Sequence, residues 1–368
     1  MEQRVDEREW IEFQWPYVMA LLGGEGRVSE LAYASGAFTR RREIESPGDL
    51  LRLILTWAVA ERSLRETAAM AAEIGLADVS DVALLGRFKR AAVWLGTLLG
   101  DRLAEPPIPK QNGARIRLLD ATAISGRGSK GTDRRIHLSI ELGTARIRSL
   151  EVTDQKGAES LERIACEPGE FILVDRGYAH RKGMAHVAAA GAYFIVRSPW
   201  SSIPLEDQQG KVFDLFAALR SLPEAAPGAF AVQFRAPNGE AIPIRMVAIR
   251  KTEAEASRAR QTALANARRH SNHKVDARTL EAASYVFLFT NAPEQLSAAS
   301  ILDLYRFRWQ IEMKFKALKS VLHLGNVPTR NGELLNVYIL AKLLVGLVID
   351  DLIYNESFSP WGYPIQTA

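Results

Sequence analysis

Two aspartates and a glutamate in this sequence stand where an ionisable side chain would be costly to bury without a partner. Asp120 follows Arg-Leu-Leu and Asp175 follows Phe-Ile-Leu-Val, runs that predict strands, and Glu312 lies in a helical stretch. Sites in open α/β sheets gather at the carboxyl ends of strands, so we expect the three to converge. Oxygen ligands without His or Cys suit Mg²⁺, and two such ions about 4 Å apart support in-line displacement at phosphorus. Taken singly, each Asp is equally well explained as a turn or capping residue.

Glu312 shares one predicted helical face with cations and an aromatic hydroxyl. At about 100° per residue this face holds Tyr305, Arg308, Glu312 and Lys319, with Lys316 at its edge. We predict a single helix, capped by Ser297 or Ser300, with no Pro or Gly before Gly325. A solvated face with ordinary ion pairs is the alternative, but such a face mixes both charges, whereas a single carboxylate stands among cations here.

Composition restricts the class of protein. The chain has 368 residues, which suggests two or three domains, and 47% of them are hydrophobic. The net charge of +4 is compatible with a polyanionic partner. A single cysteine, Cys166, excludes a disulfide framework and a cysteine-based zinc site. We expect a soluble cytoplasmic protein, because the N-terminus is charged and the apolar run 337–349 is short and contains Lys342.

The first part of the chain, residues 1–105, is predicted to be helical. Ser63 and Glu66 have the spacing of a capping box, Gly75 ends that helix, and Asp78 or Ser80 caps the next. The second helix carries Arg87, Lys89 and Arg90. A helix, a short turn and a basic helix form a helix-turn-helix pattern, which predicts DNA contact through these three cations. Any small helical bundle can show the same pattern, so both interpretations stay open.

Beyond the Pro-rich linker 106–109 the periodicity changes to that of strands and helices. Strands are predicted at 115–125, 136–142, 146–153, 171–175 and 193–197, with helices at 158–165 and 180–190. This order fits a ribonuclease H-like sheet and other α/β folds. Residues 200–284 contain a predicted hairpin and a basic helix and are predicted to be a β-rich insertion, after which 285–290 returns to strand.

The predicted fold class is therefore α/β, a mixed sheet interrupted by a β-rich insertion and preceded by a helical domain. The predicted domains are 1–105 (helical, DNA-binding), 106–199 (catalytic core, first part), 200–284 (β-rich insertion), 285–355 (catalytic core, second part) and 356–368 (short tail).

The spacing Tyr-x2-Arg-x3-Glu-x6-Lys, formed by Tyr305, Arg308, Glu312 and Lys319, resembles the signature of the DDE transposases of bacterial insertion sequences. In that group a ribonuclease H-like core is interrupted by a β-rich insertion. The resemblance extends to Asp120-Ala-Thr, Asp175-Arg-Gly-Tyr, Phe-Ile-Val-Arg at 194–197 and Thr290-Asn. It covers roughly residues 60–353.

The resemblance implies specific roles for these residues. Asp120, Asp175 and Glu312 would bind two Mg²⁺ ions, with Mn²⁺ able to substitute, and catalyse DNA cleavage and strand transfer in cut-and-paste transposition. Phosphates at the transposon end would be held by Tyr305, Arg308 and Lys319, and further DNA contacts would come from Arg197 and Lys316. The implied partners are double-stranded DNA, at the terminal inverted repeats and the target, and a second copy of the chain in the DNA complex. The implied location is the bacterial cytoplasm, at the nucleoid when DNA is bound, with no membrane.

Two departures from the family pattern leave an alternative open. A relative stacks an insertion-domain tryptophan on a flipped base, and here Trp200 or Phe213 would have to take that role. The region after residue 353 is short for a dimer contact. The alternative is a truncated or inactive transposase that occupies inverted repeats as a repressor. A ribonuclease H-like nuclease without transposition is disfavoured by the signature helix and the basic insertion.

Overall fold

The computed structural model describes residues 15–104, 115–270, 275–325 and 327–355. The chain forms two compact units, each assembled from segments that are distant in sequence. One consists of Met1–Ile108, Ala123–Arg135 and Phe315–Ala368, and is called the helical unit here; the other consists of Pro109–Thr122 and Ile136–Lys314. The predicted tail 356–368 lies outside the described residues, and the predicted domain boundaries stay a prediction.

The eight strands follow the predicted order. The helices are α1 (Gly24–Ala34), α2 (Pro47–Val59), α3 (Leu64–Glu73), α4 (Asp81–Lys89), α5 (Ala92–Leu103), α6 (Arg181–Ala189), α7 (Leu215–Arg220), α8 (Glu253–His270), α9 (Ala277–Ala282), α10 (Ala298–Arg306), α11 (Trp309–Val321) and α12 (Gly332–Asn355). The strands are β1 (Ile116–Ile124), β2 (Arg134–Glu141), β3 (Ile147–Asp154), β4 (Phe171–Val174), β5 (Tyr193–Arg197), β6 (Pro227–Arg235), β7 (Ala241–Arg250) and β8 (Tyr285–Thr290).

In the helical unit, α12 packs against α2, α4 and α5. Aromatic side chains form the centre of this core: Trp57 lies 5.3 Å from Phe88 and 5.1 Å from Tyr338 between ring centroids. The predicted capping box is confirmed, since the Glu66 backbone N–H donates to Ser63 Oγ at 3.2 Å and the Ser63 N–H donates to the Glu66 carboxylate at 2.7 Å. Ser80, not Asp78, caps α4.

Helix α12 is long and apolar enough, by length and composition, to cross a membrane. The stretch Gly332–Asp351 has a mean hydropathy of 1.8, but 67% of it is buried inside the protein. It also carries Lys342, whose side chain is fully buried and paired. These are properties of a core helix. The helix extends beyond both ends of the apolar run 337–349 that was noted in the sequence.

The eight strands form one sheet in the order β3-β2-β1-β4-β5-β8-β7-β6. β1, β4 and β5 are parallel neighbours, whereas β5, β8, β7 and β6 pair antiparallel. The strands of the predicted insertion, β6 and β7, therefore extend the main sheet rather than forming a sheet of their own. They do so because β7 pairs along its length with the apolar β8.

Three local predictions were wrong. The helix predicted at 158–165 is a single 3-10 turn, Leu161–Arg163. Asp120 does not stand at the strand end where we expected the site carboxylates, since β1 continues to Ile124, close to the predicted bound of 125. The single helix predicted after Ser297 is two helices, because the backbone tightens to i→i−3 bonds at Phe307 and Arg308. Neither is a helix breaker by propensity. The tight turn coincides with the contact of Arg308 with Asp120, a tertiary interaction that sequence periodicity does not contain.

Candidate active site

The sheet register places Asp120 and Asp175 side by side. β1 and β4 pair in parallel, with Ile116 opposite Phe171 and Leu118 opposite Leu173. Asp120 and Asp175 each lie two residues after the last of these pairs, Leu118 and Leu173. Neighbouring strands are about 4.8 Å apart, and residues two apart point to the same face, so both carboxylates leave one face at the same level. Sequence reasoning thus found the pair, although only Asp175 stands directly at a strand end.

Asp175 also organises the turn that follows β4. Its Oδ1 accepts a hydrogen bond of 2.8 Å from the Gly177 backbone N–H, which caps the 3-10 turn Arg176–Tyr178. A Cβ at Gly177 would collide with the Glu159 carboxylate and crowd Asp175 Oδ1. Glycine is therefore required for Glu159 to lie over this turn. The capping role expected as an alternative is real, and it is compatible with a second role for the free carboxylate oxygen.

The electrostatic surroundings of Asp120 disfavour its charged form. Burial is the largest cause, and Asp175 and Glu159 add repulsion, so that the pKa of Asp120 is raised to about 6. A hydrogen bond from the Ala121 N–H and the positive charge of Arg308 act in the opposite direction without cancelling the effect. The side chain is only 18% exposed. Three carboxylates thus lie in one region, and Arg308 is the cation that acts on Asp120.

Arg308 connects Asp120 to Glu312. Its Nη1 lies 3.8 Å from Asp120 Oδ2, and its Nη2 donates to Oε1 of Glu312, four residues further along the chain. Glu312 is more than half exposed. Tyr305 lies near the same guanidinium, and burial raises the pKa of its hydroxyl. The structure therefore brings Asp120, Asp175, Tyr305 and Arg308 together and links Glu312 to them through Arg308.

The chemical type of the three carboxylate ligands suits a divalent cation. Asp120, Asp175 and Glu312 offer only oxygen atoms, which Mg²⁺ prefers. Burial, and to a smaller extent repulsion from Asp175 and Glu159, raises the pKa of Asp120, and a bound cation would favour its charged form. Among the described residues no group of three or more acidic, His or Cys side chains is already arranged as a metal cage. Glu312 would have to exchange its Arg308 contact for the metal.

The other predicted DNA contacts, Arg197, Lys316 and Lys319, are on two different elements. Arg197 ends β5 and lines one cleft with Asp175, Tyr305 and Arg308. Lys316 and Lys319 are exposed on α11. No observation tests whether either touches DNA, so their role stays a prediction.

The three cations predicted on the second helix of the helix-turn-helix pattern, here α4, are partly engaged within the helical unit. The Arg87 guanidinium lies 5.2 Å from the Phe38 ring centroid and donates to the Arg40 carbonyl. Lys89 pairs with Glu333 at 3.4 Å, and Arg90 donates to the carbonyl of Gly86 on its own helix. These contacts do not exclude a DNA contact, which stays a prediction.

The two aromatic candidates for base stacking differ in position. Trp200 lines the cleft beside Asp175, donates from Nε1 to Thr279 Oγ1 at 3.1 Å, and carries the Arg278 guanidinium 4.6 Å from its ring centroid. Phe213 packs on Phe230 in the apolar core. Of the two, only Trp200 lines this cleft.

Sequence reasoning missed three charged residues around this site. Glu159 comes from a loop and reaches Asp120 and Asp175 only through the fold. Lys251 follows β7, lies outside every quoted motif, and is indicated by no sequence signal. Arg176 stands inside the quoted motif Asp175-Arg-Gly-Tyr, so its position next to a predicted ligand was a usable signal.

The chain is similar to several known proteins. The family described as "Transposase DDE domain" matches residues 111–346. The chain is 37% identical over 347 residues to the putative transposase InsL for insertion sequence element IS186A of Escherichia coli (strain K12), covering 92% of this chain and 94% of the relative. It is 36% identical over 348 residues to the transposase for insertion sequence element IS421 of Escherichia coli, with the same coverage. A solved synaptic complex of piggyBac transposase with hairpin DNA is 10% identical, covers 94% of this chain and 76% of that one, and has a TM-score of 0.48, too low to identify a shared fold.

Proposed function

The chain belongs to the DDE transposase family of bacterial insertion sequences, and on this premise we propose that it cuts DNA at terminal inverted repeats and joins the freed ends to target DNA. The catalytic residues in this proposal are Asp120, Asp175 and Glu312, which would hold two Mg²⁺ ions. The observation that carries the proposal is the pairing of Asp120 with Asp175 across neighbouring parallel strands, with Arg308 connecting Asp120 to Glu312.

The chemistry requires an attacking oxygen, a polarised phosphodiester and a stabilised leaving oxygen. Bound Mg²⁺ would supply a Lewis acid and an activated water or 3′-hydroxyl. The chain's own residues would position the DNA. Arg308 can hold a phosphate through two parallel hydrogen bonds, and the buried Tyr305 hydroxyl, which keeps its proton because burial raises its pKa, can donate one more.

DNA positioning beyond the reacting phosphate would involve further cations. We assign Arg197, Lys316 and Lys319 to backbone contacts, which give affinity without sequence selectivity. We assign recognition of the inverted repeats to the helices before residue 105, including the α4 cations Arg87, Lys89 and Arg90. A second copy of the chain would complete the DNA complex, because two transposon ends must be cut and joined together.

The test is cleavage of a labelled inverted-repeat duplex by the full chain in Mg²⁺. Asp120→Asn, Asp175→Asn and Glu312→Gln should each lower cleavage at least about a thousandfold, equivalent to roughly 4 kcal/mol of transition-state stabilisation. Binding of the same duplex, measured by fluorescence anisotropy in EDTA, should survive in all three variants. The matched control is Glu162→Gln, which removes an exposed carboxylate paired with Lys182 and should cleave at the wild-type rate.

The same assay separates the alternative function. A repressor derived from a transposase would bind the repeats without cutting them, so the wild-type chain would already behave like Asp175→Asn. Cleavage persisting in one of the three variants would instead remove that residue from the catalytic set.

A further inference from the structure

The half-buried carboxylate of Glu159 lies over the turn that follows β4, beside Asp175. A Cβ on Gly177 would be 2.8 Å from Glu159 Cδ and 3.2 Å from Asp175 Oδ1, so both carboxyl groups border the space that this glycine leaves. Gly177 does not have a positive φ, and the backbone of the turn would therefore accept other residues. The position of Glu159, rather than the backbone conformation, excludes a side chain at residue 177.

The segment that carries Glu159 is fixed on both sides. Before it, the carbonyl of Ala158 accepts a hydrogen bond of 2.8 Å from Arg163 Nε. After it, Leu161 is fully buried and packs on α6, where a Cβ on Gly183 would be only 3.0 Å from Leu161 Cβ. Glu159 therefore reaches the turn after β4 from a backbone whose position is set by the fold, and little conformational entropy remains to be lost there.

Two carboxylates of this short segment have different surroundings. Glu162 forms an ion pair with Lys182 at 2.7 Å, at the surface of the protein. Glu159 instead lies beside Asp175 and is one of the charges that act on Asp120, where its effect is smaller than those of burial and of Asp175. Repulsion from Glu159 disfavours the charged form of Asp120, and a cation bound by the two aspartates would reverse that effect.

We infer that Glu159 is a positioning residue for Asp175 and an outer carboxylate of the metal site. The inference rests on the proposed function, in which Asp120 and Asp175 hold the divalent cation. Asp175 Oδ1 accepts the Gly177 N–H at 2.8 Å, which leaves Oδ2 for the cation. Glu159 fills the space over Gly177, so that the turn and Asp175 keep their place beside Asp120. Its negative charge adds to the attraction for the cation without coordinating it.

The experiment is a Mg²⁺ titration of the full, DNA-free chain, followed by its melting temperature. Glu159→Gln keeps the shape of the side chain but loses its charge, and should raise the Mg²⁺ concentration for half the maximal shift about tenfold. Glu159→Ala also loses the contact over Gly177 and should raise that concentration up to about a hundredfold. Without Mg²⁺, the melting temperature of Glu159→Gln should stay close to that of the wild type. The matched control is Glu162→Gln on the same segment, which should respond to Mg²⁺ like the wild type.

Gly177→Ala tests the same contact from the other side. Its Cβ would displace the Glu159 carboxylate, so this variant should respond to Mg²⁺ like Glu159→Ala. In the Glu159→Ala background the space is free. There, Gly177→Ala should change the half-maximal Mg²⁺ concentration by less than about twofold, since it acts only through Glu159.

Three results would overturn the inference. A wild-type Mg²⁺ response in both Glu159→Gln and Glu159→Ala would make the contact over Gly177 purely structural. Complete loss of the response in Glu159→Gln, as expected for Asp175→Asn, would make Glu159 a direct ligand. A wild-type chain without any response to Mg²⁺ would leave no cation for Glu159 to act on. Failure of the proposed function looks different, because the wild-type chain would then not cleave inverted repeats while the DNA-free titration would still decide the role of Glu159.

Discussion

Lys342 and Asp120 are two largely buried ionisable side chains with different electrostatic surroundings. Lys342 is fully buried in the helical unit, yet its ammonium donates to Glu61 at 2.8 Å and to the His323 carbonyl at 3.2 Å, and lies 4.5 Å from the Tyr338 ring centroid. Asp120 keeps some solvent contact but faces two other carboxylates, and its pKa is raised to about 6. The helical unit neutralises a charge that it encloses, whereas at the candidate active site Asp120 faces other carboxylates and has Arg308 at 3.8 Å as its cation.

Under the proposed function, the paired network around Lys342 supports the fold and the carboxylates around Asp120 serve the reaction. A buried charge that is paired becomes costly when its partner is removed, while a repelling cluster becomes more stable when one member is removed. Stability measurements on the two sites should therefore move in opposite directions. The three predictions that follow use this contrast, from the largest expected effect to the smallest.

Glu61→Gln should lower the free energy of unfolding by about 3 kcal/mol, because it leaves the Lys342 ammonium buried without a counter-charge. Burial lowers the pKa of Lys342 and Glu61 opposes that change, so the variant should lower this pKa further. The folded variant then binds fewer protons than the unfolded chain, and its stability should rise with pH. Urea unfolding at pH 7 and pH 10 should show the larger loss at pH 7.

The matched control for that measurement is Glu30→Gln, which breaks an exposed pair with Arg27. It should change stability by no more than about 0.5 to 1 kcal/mol at either pH. Equal losses in Glu30→Gln and Glu61→Gln would show that the Lys342 network is not a buried ion pair in solution.

Asp120→Asn should raise the stability of the metal-free chain at pH 7.5 by as much as about 3 kcal/mol, the value of a pKa shift from 3.8 to about 6. The sign follows from proton binding. Between these two pKa values the folded wild type binds more protons than the unfolded chain, so its stability falls as pH rises toward 7. Thermal melts in EDTA should therefore show a large gain at pH 7.5 and a small gain at pH 4.5.

Asp303→Asn serves as the comparison for Asp120→Asn, since Asp303 is exposed and pairs with Arg306 at 3.2 Å. Its melting temperature should follow the wild type at both pH values. A destabilised Asp120→Asn, or a gain that does not depend on pH, would mean that Asp120 is not held in a repelling cluster.

Arg308→Lys should lower cleavage about tenfold, or roughly 1.4 kcal/mol, although the charge is kept, because a lysine cannot make the two parallel bonds of a guanidinium. Cleavage by Arg308→Ala should be slower than cleavage by Arg308→Lys. It should also be slower than cleavage by Lys319→Ala. Folding should change little, which a melting curve checks. Wild-type rates for both Arg308 variants would mean that Arg308 only neutralises Asp120 and Glu312.

The sequence predicted well those parts of the fold that depend on local patterns. The run 193–197 and the run 285–290 became β5 and β8 with the predicted bounds, because buried strands need continuous apolar residues. The Ser63 cap was equally local. The break at Phe307 and Arg308 was not predictable, since it accompanies a contact with Asp120 from a distant strand.

The candidate site shows the same limit. Asp120 and Asp175 were predicted from the apolar runs that precede them, and Arg308 was predicted from its helical spacing. The register of β1 and β4 brings the two aspartates together, and Arg308 contacts Asp120. Glu159 and Lys251 have no such spacing and become neighbours of the site only when the loop before β4 and the end of β7 are folded against it. Charge clusters built from distant segments need the tertiary structure.

The most direct test of the account is a Mg²⁺ titration of the metal-free chain, followed by its melting temperature. A cation that relieves the repulsion between Asp120 and Asp175 should raise the melting temperature as its concentration rises. At a hundredfold excess of Mg²⁺ over its dissociation constant, the free energy of unfolding should increase by about 2.7 kcal/mol. Asp120→Asn and Asp175→Asn should lose this response, while the destabilised Glu61→Gln should keep it. The same Mg²⁺-dependent rise in all four proteins would contradict the assignment of the metal site to these aspartates.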